Sequence, residues 1–227
     1  MSSPSSPARG RPPRLDRART LETALALLDR SGLDALTMRS LAEAMDVRAG
    51  ALYRYFATKQ DLLTAMAERM MDGVADAAGA PGGDWSERLA ALARGMRTAL
   101  LAHRDGARVF AGTHATGENV LGFADTFVGA LREAGFRDDD AVRALYTVAN
   151  FTVGHTLEEQ AALHPEDGGS ADANALAETV ANGPYPHLGA DLPTLTSTDF
   201  PGLFEFGLRL LIDGLDARRR PAPGTTE

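Results

Sequence analysis

The chain has no cysteine in 227 residues. That absence excludes disulfides, thiolate nucleophiles, zinc fingers and iron–sulfur clusters together, and leaves histidine and carboxylates as the only strong metal ligands. Aromatic residues are scarce at 6%. No apolar run approaches the roughly 18–20 residues of a membrane span. The opening segment MSSPSSPARGRPPR lacks the apolar stretch of a secretory signal, so the chain reads as cytoplasmic and without membrane contact. Lysine is nearly missing as well: Lys59 stands alone among 23 basic residues. Runs that alternate apolar and polar residues, the mark of strands, are absent too. With 44% hydrophobic and 24% charged residues, the chain has ample material for a core of one or two domains.

Net charge is −8, but it is unevenly spread. Residues 1–60 hold ten basic and six acidic residues, a net of +4, and the remainder carries −12. A basic module on an acidic body suggests that the first part faces nucleic acid. Residues 1–14 are Ser, Pro, Gly and Arg and are expected to form a flexible arm whose arginines meet phosphates.

Helical periodicity fills the rest. Leu21, Ala24, Leu25 and Leu28 make a first helix from about residue 15, ended by Ser31-Gly32. Thr37 can cap a short second helix from Met38 to Met45, and a third short segment runs from Ala49 to Phe56. Thr58 can cap a fourth, whose stripe of Leu62, Leu63, Met66, Met70 and Val74 is expected to run on to Gly79–Gly83. Further helices are expected over Trp85 to Leu100, Val109 to Ala115, Val120 to Ala134 and Asp138 to Leu163, the last stopped by Pro165. Residues 164–200, with Pro184, Pro186 and Pro193, read as a long connection holding a helical turn or two near 175–180. A last helix, Phe200 to Ala217, is apolar nearly all round, which predicts burial on more than one side, a second copy of the chain covering the other. A basic tail, 218–227, follows. The fold class is all-α, with DNA-facing helices over 15–60 and a larger helical body over 61–217.

Two short helices with small residues at their joint form the geometry that seats a second helix in the major groove. The segment LTMRSLAEAMDVRAGALYRYFATKQDLL supplies both, with Arg48, Ala49, Gly50, Ala51, Arg54 and Tyr55 on the leading face of the second. Arg48 and Arg54 can read guanine edges or grip phosphate, Ala51 can meet a thymine methyl, and Tyr53 and Lys59 can bind phosphate oxygens. A plain helical hairpin with a charged surface would show the same spacing. The residue order, above all Tyr53-Arg54-Tyr55-Phe56 followed by Lys59, resembles the helix-turn-helix of the tetracycline-repressor (TetR) family. The resemblance implies a homodimer on a palindromic DNA operator, with Arg39, Arg48 to Ala51, Tyr53, Arg54, Tyr55 and Lys59 facing it.

The segments at 98–116, 148–160 and 204–215 resemble the core of the tetracycline-repressor branch, so the likeness spans about 15–217. It implies a small-molecule inducer whose entry shifts the fourth helix and parts the DNA-binding heads, and a dimer interface built from the last two long helices. In that branch a histidine ligates the magnesium of the drug complex; its position falls here on Phe110. Two further polar contacts fall on Val74 and Leu92, and a phenylalanine becomes Met96. Hydrocarbon cannot replace a metal ligand, and each polar group left unpaired against it costs about 1–3 kcal/mol. The expected inducer is therefore a hydrophobic, polycyclic, antibiotic-like molecule, with Leu92, Met96, Phe110 and Phe151 as walls and Thr113, His114 and Asn150 as anchors. Glu158 matches the family's acidic residue near the metal. No cofactor or metal is expected: His155 with Glu158 and Glu159 has ligand spacing but lacks a second histidine. An exporter or biosynthetic gene is the expected target of control. A tetracycline sensor with an altered pocket, and a regulator answering to a protein partner through residues 164–200, are the alternatives. An enzyme is not expected, since no nucleophile–base pair appears, and His103-Arg104-Asp105 lacks the asparagine a kinase loop would place at Phe110.

Overall fold

A computed structural model describes residues 16–163 and 173–219, and every regular element among them is helical. The expected arm and most of the basic tail lie outside the described residues. Helix α1 (Arg17–Ala35) starts where Asp16 accepts the backbone N–H of Arg19 at 2.7 Å. It breaks at Gly32, whose φ of 74° is left-handed. Helix α2 (Met38–Ala44) and helix α4 (Lys59–Met70) both open with reciprocal capping boxes, Thr37 with Ser40 and Thr58 with Asp61. Between them lies α3 (Ala49–Leu52), prolonged by a turn in which Phe56 N–H bonds the Leu52 carbonyl at 3.0 Å. Leu25, Leu28, Leu41, Leu52, Phe56, Leu62 and Met66 bury together and hold the four helices as one unit.

The fourth helix ends sooner than the apolar stripe predicts. Gly73 takes a left-handed φ of 74°, and Val74 falls on a separate 3-10 turn, Val74–Ala78. A chain that turns left-handed at one residue cannot continue the α-helical ladder, so the stripe survives while the helix does not.

The body is built around α5 (Trp85–Leu101), which packs against the 3-10 turn, α6 (Gly106–Ala111), α7 (Glu118–Glu133), α8 (Asp138–Leu163) and α12 (Phe200–Arg218). Leu89, Leu92, Leu100, Phe127 and Leu131 are fully enclosed there, each contributing about 1.5–3 kcal/mol by leaving water. Helix α6 ends at Ala111 rather than Ala115, so Thr113 and His114 lie on a connection. The stretch expected as a loop holds three helices: α9 (Ala173–Asn182), α10 (Pro186–Gly189) and α11 (Leu192–Leu195). Pro186 and Pro193, which read as loop residues, sit in the first turns of α10 and α11, where a missing N–H costs nothing. Helix α12 buries only Phe204 and Leu208 against its own chain, leaving Phe206 65% and Leu210 57% exposed. Among the described residues no helix is long and apolar enough to cross a membrane.

Candidate DNA-binding and ligand-binding sites

Leu41 and Ala42 of α2 and Leu52 and Phe56 of the α3 turn face inward, with Met45, Val47 and Ala49 partly buried against them, which leaves the polar residues between them outward. Asp46 makes the joint by adopting a left-handed φ of 53°, and Val47 N–H returns to the Ala42 carbonyl at 3.0 Å. Arg48, Gly50 and Arg54 are exposed, Ala49 and Ala51 are half-buried, and Tyr53 is 50% exposed. Tyr55 is also exposed. Arg39 is exposed and pairs along its own helix with Glu43 at 2.9 Å. Arg39 on α2 and the seven expected residues on or beside α3 thus all keep surface open to solvent. Lys59 differs: it is half-buried, and its Nζ lies 3.5 Å from the Leu33 carbonyl, pointing back toward α1.

The expected ligand residues divide into three groups. Val74, Leu92 and Met96 are buried core, Val74 packing against α5 at Gly95. Phe110 is partly buried against that core, and Thr113 Oγ1 donates to the Phe110 carbonyl at 2.9 Å. Phe151 stands elsewhere, in a ring cluster on α8 and α12 where it stacks on Phe204 with centroids 5.4 Å apart. His114, Asn150 and Glu158 are exposed in the single chain and join neither group. Asn150 and Glu158 lie on the side of α8 that this chain leaves uncovered, so neither is positioned to anchor a ligand in the core of its own subunit.

Residues singled out for other chemistry turn out to hold the fold. His155 Nε2 lies 2.9 Å from the Phe200 carbonyl, and Glu159 accepts two hydrogen bonds from Arg97, at 2.6 and 2.8 Å. The Arg97 guanidinium also lies 5.2 Å from the centre of the Phe204 ring. Sequence reasoning missed this pair, whose one signal is an arginine set between the core positions Met96 and Leu100 of α5. His103-Arg104-Asp105 is a joint between body and DNA-facing helices. Asp29 meets His103 Nδ1 at 3.1 Å and accepts Arg104 N–H at 3.2 Å. Asp105 accepts Leu33 N–H at 2.7 Å, a donor that the Gly32 break leaves unpaired within α1. Gln160, buried on α8, holds the joint from behind: it accepts from Ala107 N–H and donates to the carbonyls of Leu100 and His103, at 2.8–3.0 Å.

On the outer side of the body, Arg94 grips Glu205 of α12 with two bonds of 2.6 and 2.7 Å. Those hydrogen bonds hold the Glu205 carboxyl below its usual pKa and raise that of Arg94. No catalytic constellation forms among these groups.

Known proteins carry both halves of this arrangement. Residues 21–66 match the family described as bacterial regulatory proteins, tetR family, and residues 78–219 match the tetracyclin repressor-like C-terminal domain. The chain is 41% identical over 201 residues to the tetracycline repressor protein class A from transposon 1721 of Escherichia coli, covering 88% of this chain and 89% of that one. A solved structure of a "possible TetR family transcriptional regulator" from Streptomyces coelicolor A3(2) is 75% identical, with a TM-score of 0.85 over 90% of this chain and all of the other. The Streptomyces coelicolor TetR family protein ActR, solved in complex with actinorhodin, is 29% identical with a TM-score of 0.82, over 92% of this chain and all of that one. Two domain matches that together span most of the described chain, and a curated relative above 40% identity, place this protein in the TetR family of DNA-binding transcriptional repressors, which are not enzymes.

Proposed function

We propose that the protein is a homodimeric repressor that leaves a palindromic operator when a hydrophobic, polycyclic molecule enters its body, and that it controls an exporter or biosynthetic gene. The observation that carries this reading is the apolar set Val74, Leu92, Met96 and Phe110 inside a fold that, in ActR, is seen with actinorhodin. A wall of hydrocarbon selects ligands by shape and apolar area and offers nothing to a hydrated magnesium ion. Arg48, Tyr53, Arg54 and Tyr55 make the operator contacts, with Arg39 joining once it leaves Glu43, and Ala49, Gly50 and Ala51 admit close approach to the bases. The uncovered apolar residues of α8 and α12 form the dimer face.

The test begins with selection of a duplex from random DNA by the purified protein. Release of that duplex is then measured with actinorhodin and with tetracycline plus magnesium. Release by actinorhodin alone supports the reading. Release by tetracycline supports a second one, a tetracycline sensor with an altered pocket, which the 41% identity to the class A repressor favours. Release by neither favours the third reading, control through a protein partner.

A further inference from the structure

Helix α4 joins the DNA-facing helices to the body, and it is fastened there at two heights. Near its start Gln60 donates Nε2–H to the Gly112 carbonyl at 2.8 Å. Two turns later, about 12 Å along the axis, the Glu68 carboxylate accepts the backbone N–H groups of Asn119 and, at 3.3 Å, Val120. Asn119 Nδ2 donates in return to the Glu68 carbonyl at 3.0 Å. Both fastenings grip residues 112–120, the stretch that leaves α6 and enters α7.

The site is shaped for this carboxylate. Gly117 is the capping residue of α7 and has no side chain to satisfy that helix's first N–H groups, so the cap comes from a residue on another helix. A negative charge there also meets the positive end of a 16-residue helix. Gly117 has an ordinary φ of −81°, so its backbone does not demand glycine. A Cβ at that position would instead collide with the Glu68 carboxyl group. Soon after Glu68 the helix ends at Met70 and the chain reverses hand at Gly73, so the clasp sits in the last turns of α4, beside the Arg69–Glu22 pair that ties this end to α1.

We infer that Glu68 is a positioning residue: seated on the α7 N-terminus, it sets the angle at which α4 holds the DNA-facing helices. Displacement of residues 112–120 then reaches the operator through it. This rests on the repressor reading above and names the residue through which that response travels. Thr113, tied to the Phe110 carbonyl, lies between the two fastenings, so a ligand that moves Phe110 pulls α4 at both.

The cysteine-free chain permits spin labels at Ala44→Cys on α2 and Asp125→Cys on α7, in protein diluted with unlabelled chain so that distances within one subunit are read. The wild type should give a single narrow distance. Glu68→Ala and Gly117→Ala, which break the clasp from opposite sides, should each displace and broaden it. Each should also weaken binding of a duplex selected by the wild type about tenfold, within the range of typical coupling between sites. Glu68→Gln retains one acceptor oxygen and the shape, so it should fall between, and it keeps the test open if truncation unfolds the chain. Wild-type distances and affinity in both variants, with only a lower melting temperature, would make Glu68 a plain helix cap and overturn the inference. A change in Glu68→Ala that Gly117→Ala does not reproduce would also overturn it. Failure of the wild type to select any duplex would sink the repressor reading, and the distances alone would then decide the clasp.

Discussion

The DNA-facing helices and the body differ most in what they leave exposed. Over residues 16–56 the large apolar side chains in contact with water are Tyr53 and Tyr55, both tipped with a hydroxyl, amid exposed arginines. The body exposes Val142 and Tyr146 on α8, Leu203, Phe206 and Leu210 on α12, and Leu176, Tyr185, Leu188 and Leu195 on α9 to α11. The charge follows the same division, +4 over the first 60 residues and −12 over the rest. One surface is finished and waits for a polyanion. The other is unfinished, and only an apolar partner completes it.

The largest effect should come from reversing the character of the unfinished surface. Phe206→Asp together with Leu210→Asp places two carboxylates where a second copy is expected to pack, and desolvating them is prohibitive. Light scattering should show the mass fall from twice 24.0 kDa to that of one chain. A dimer that survives would assign this face to something else. Next comes Leu52→Ala, which empties a fully buried position under α3 at a cost of about 2–5 kcal/mol. Circular dichroism should then show an early partial melt of the DNA-facing helices, with the body unfolding later; a single transition lowered as a whole would mean that the two regions unfold as one unit through their continuous buried cluster.

Smaller still are changes on the finished surface. Tyr53→Ala should weaken all duplexes alike, while Arg48→Ala should cost about 1–3 kcal/mol and relax preference at one position of each half-site. Equal loss on every duplex variant would remove Arg48 from base reading. The smallest effect is the acid sensitivity of the Arg94–Glu205 link between α5 and α12. Glu205 titrates below its ordinary 4.5, so its contribution is present above that value and fades as pH falls through the folded value. Glu205→Gln should therefore lower stability slightly at neutral pH and converge with the wild type in acid, flattening the acid limb, as urea melts from pH 7 to 3 would show.

Much of this was written locally in the sequence. The bounds of α8, Asp138–Leu163, follow from an apolar stripe ahead of Pro165, and α2 and α4 follow from capping residues placed just before their stripes. The apolar character of Val74, Leu92, Met96 and Phe110 was legible too, because resemblance places those positions and composition fills them. What stayed hidden joins residues far apart in the chain. Glu68 with Asn119 and Arg97 with Glu159 are separated by 51 and 62 residues, and no periodicity records such pairings. Gly73 was passed over because a stripe of apolar residues continues through it. Pro186 and Pro193 mark helix starts as readily as loops, and local composition does not distinguish the two.

The measurement that bears most directly on the account is release of a selected duplex by paired ligands, repeated on Phe110→His. The wild type should let go with actinorhodin and hold with tetracycline plus magnesium, and Phe110→His, by adding a nitrogen ligand to the apolar wall, should weaken the first response. A wild type that releases with tetracycline and ignores actinorhodin would contradict the apolar-ligand reading outright.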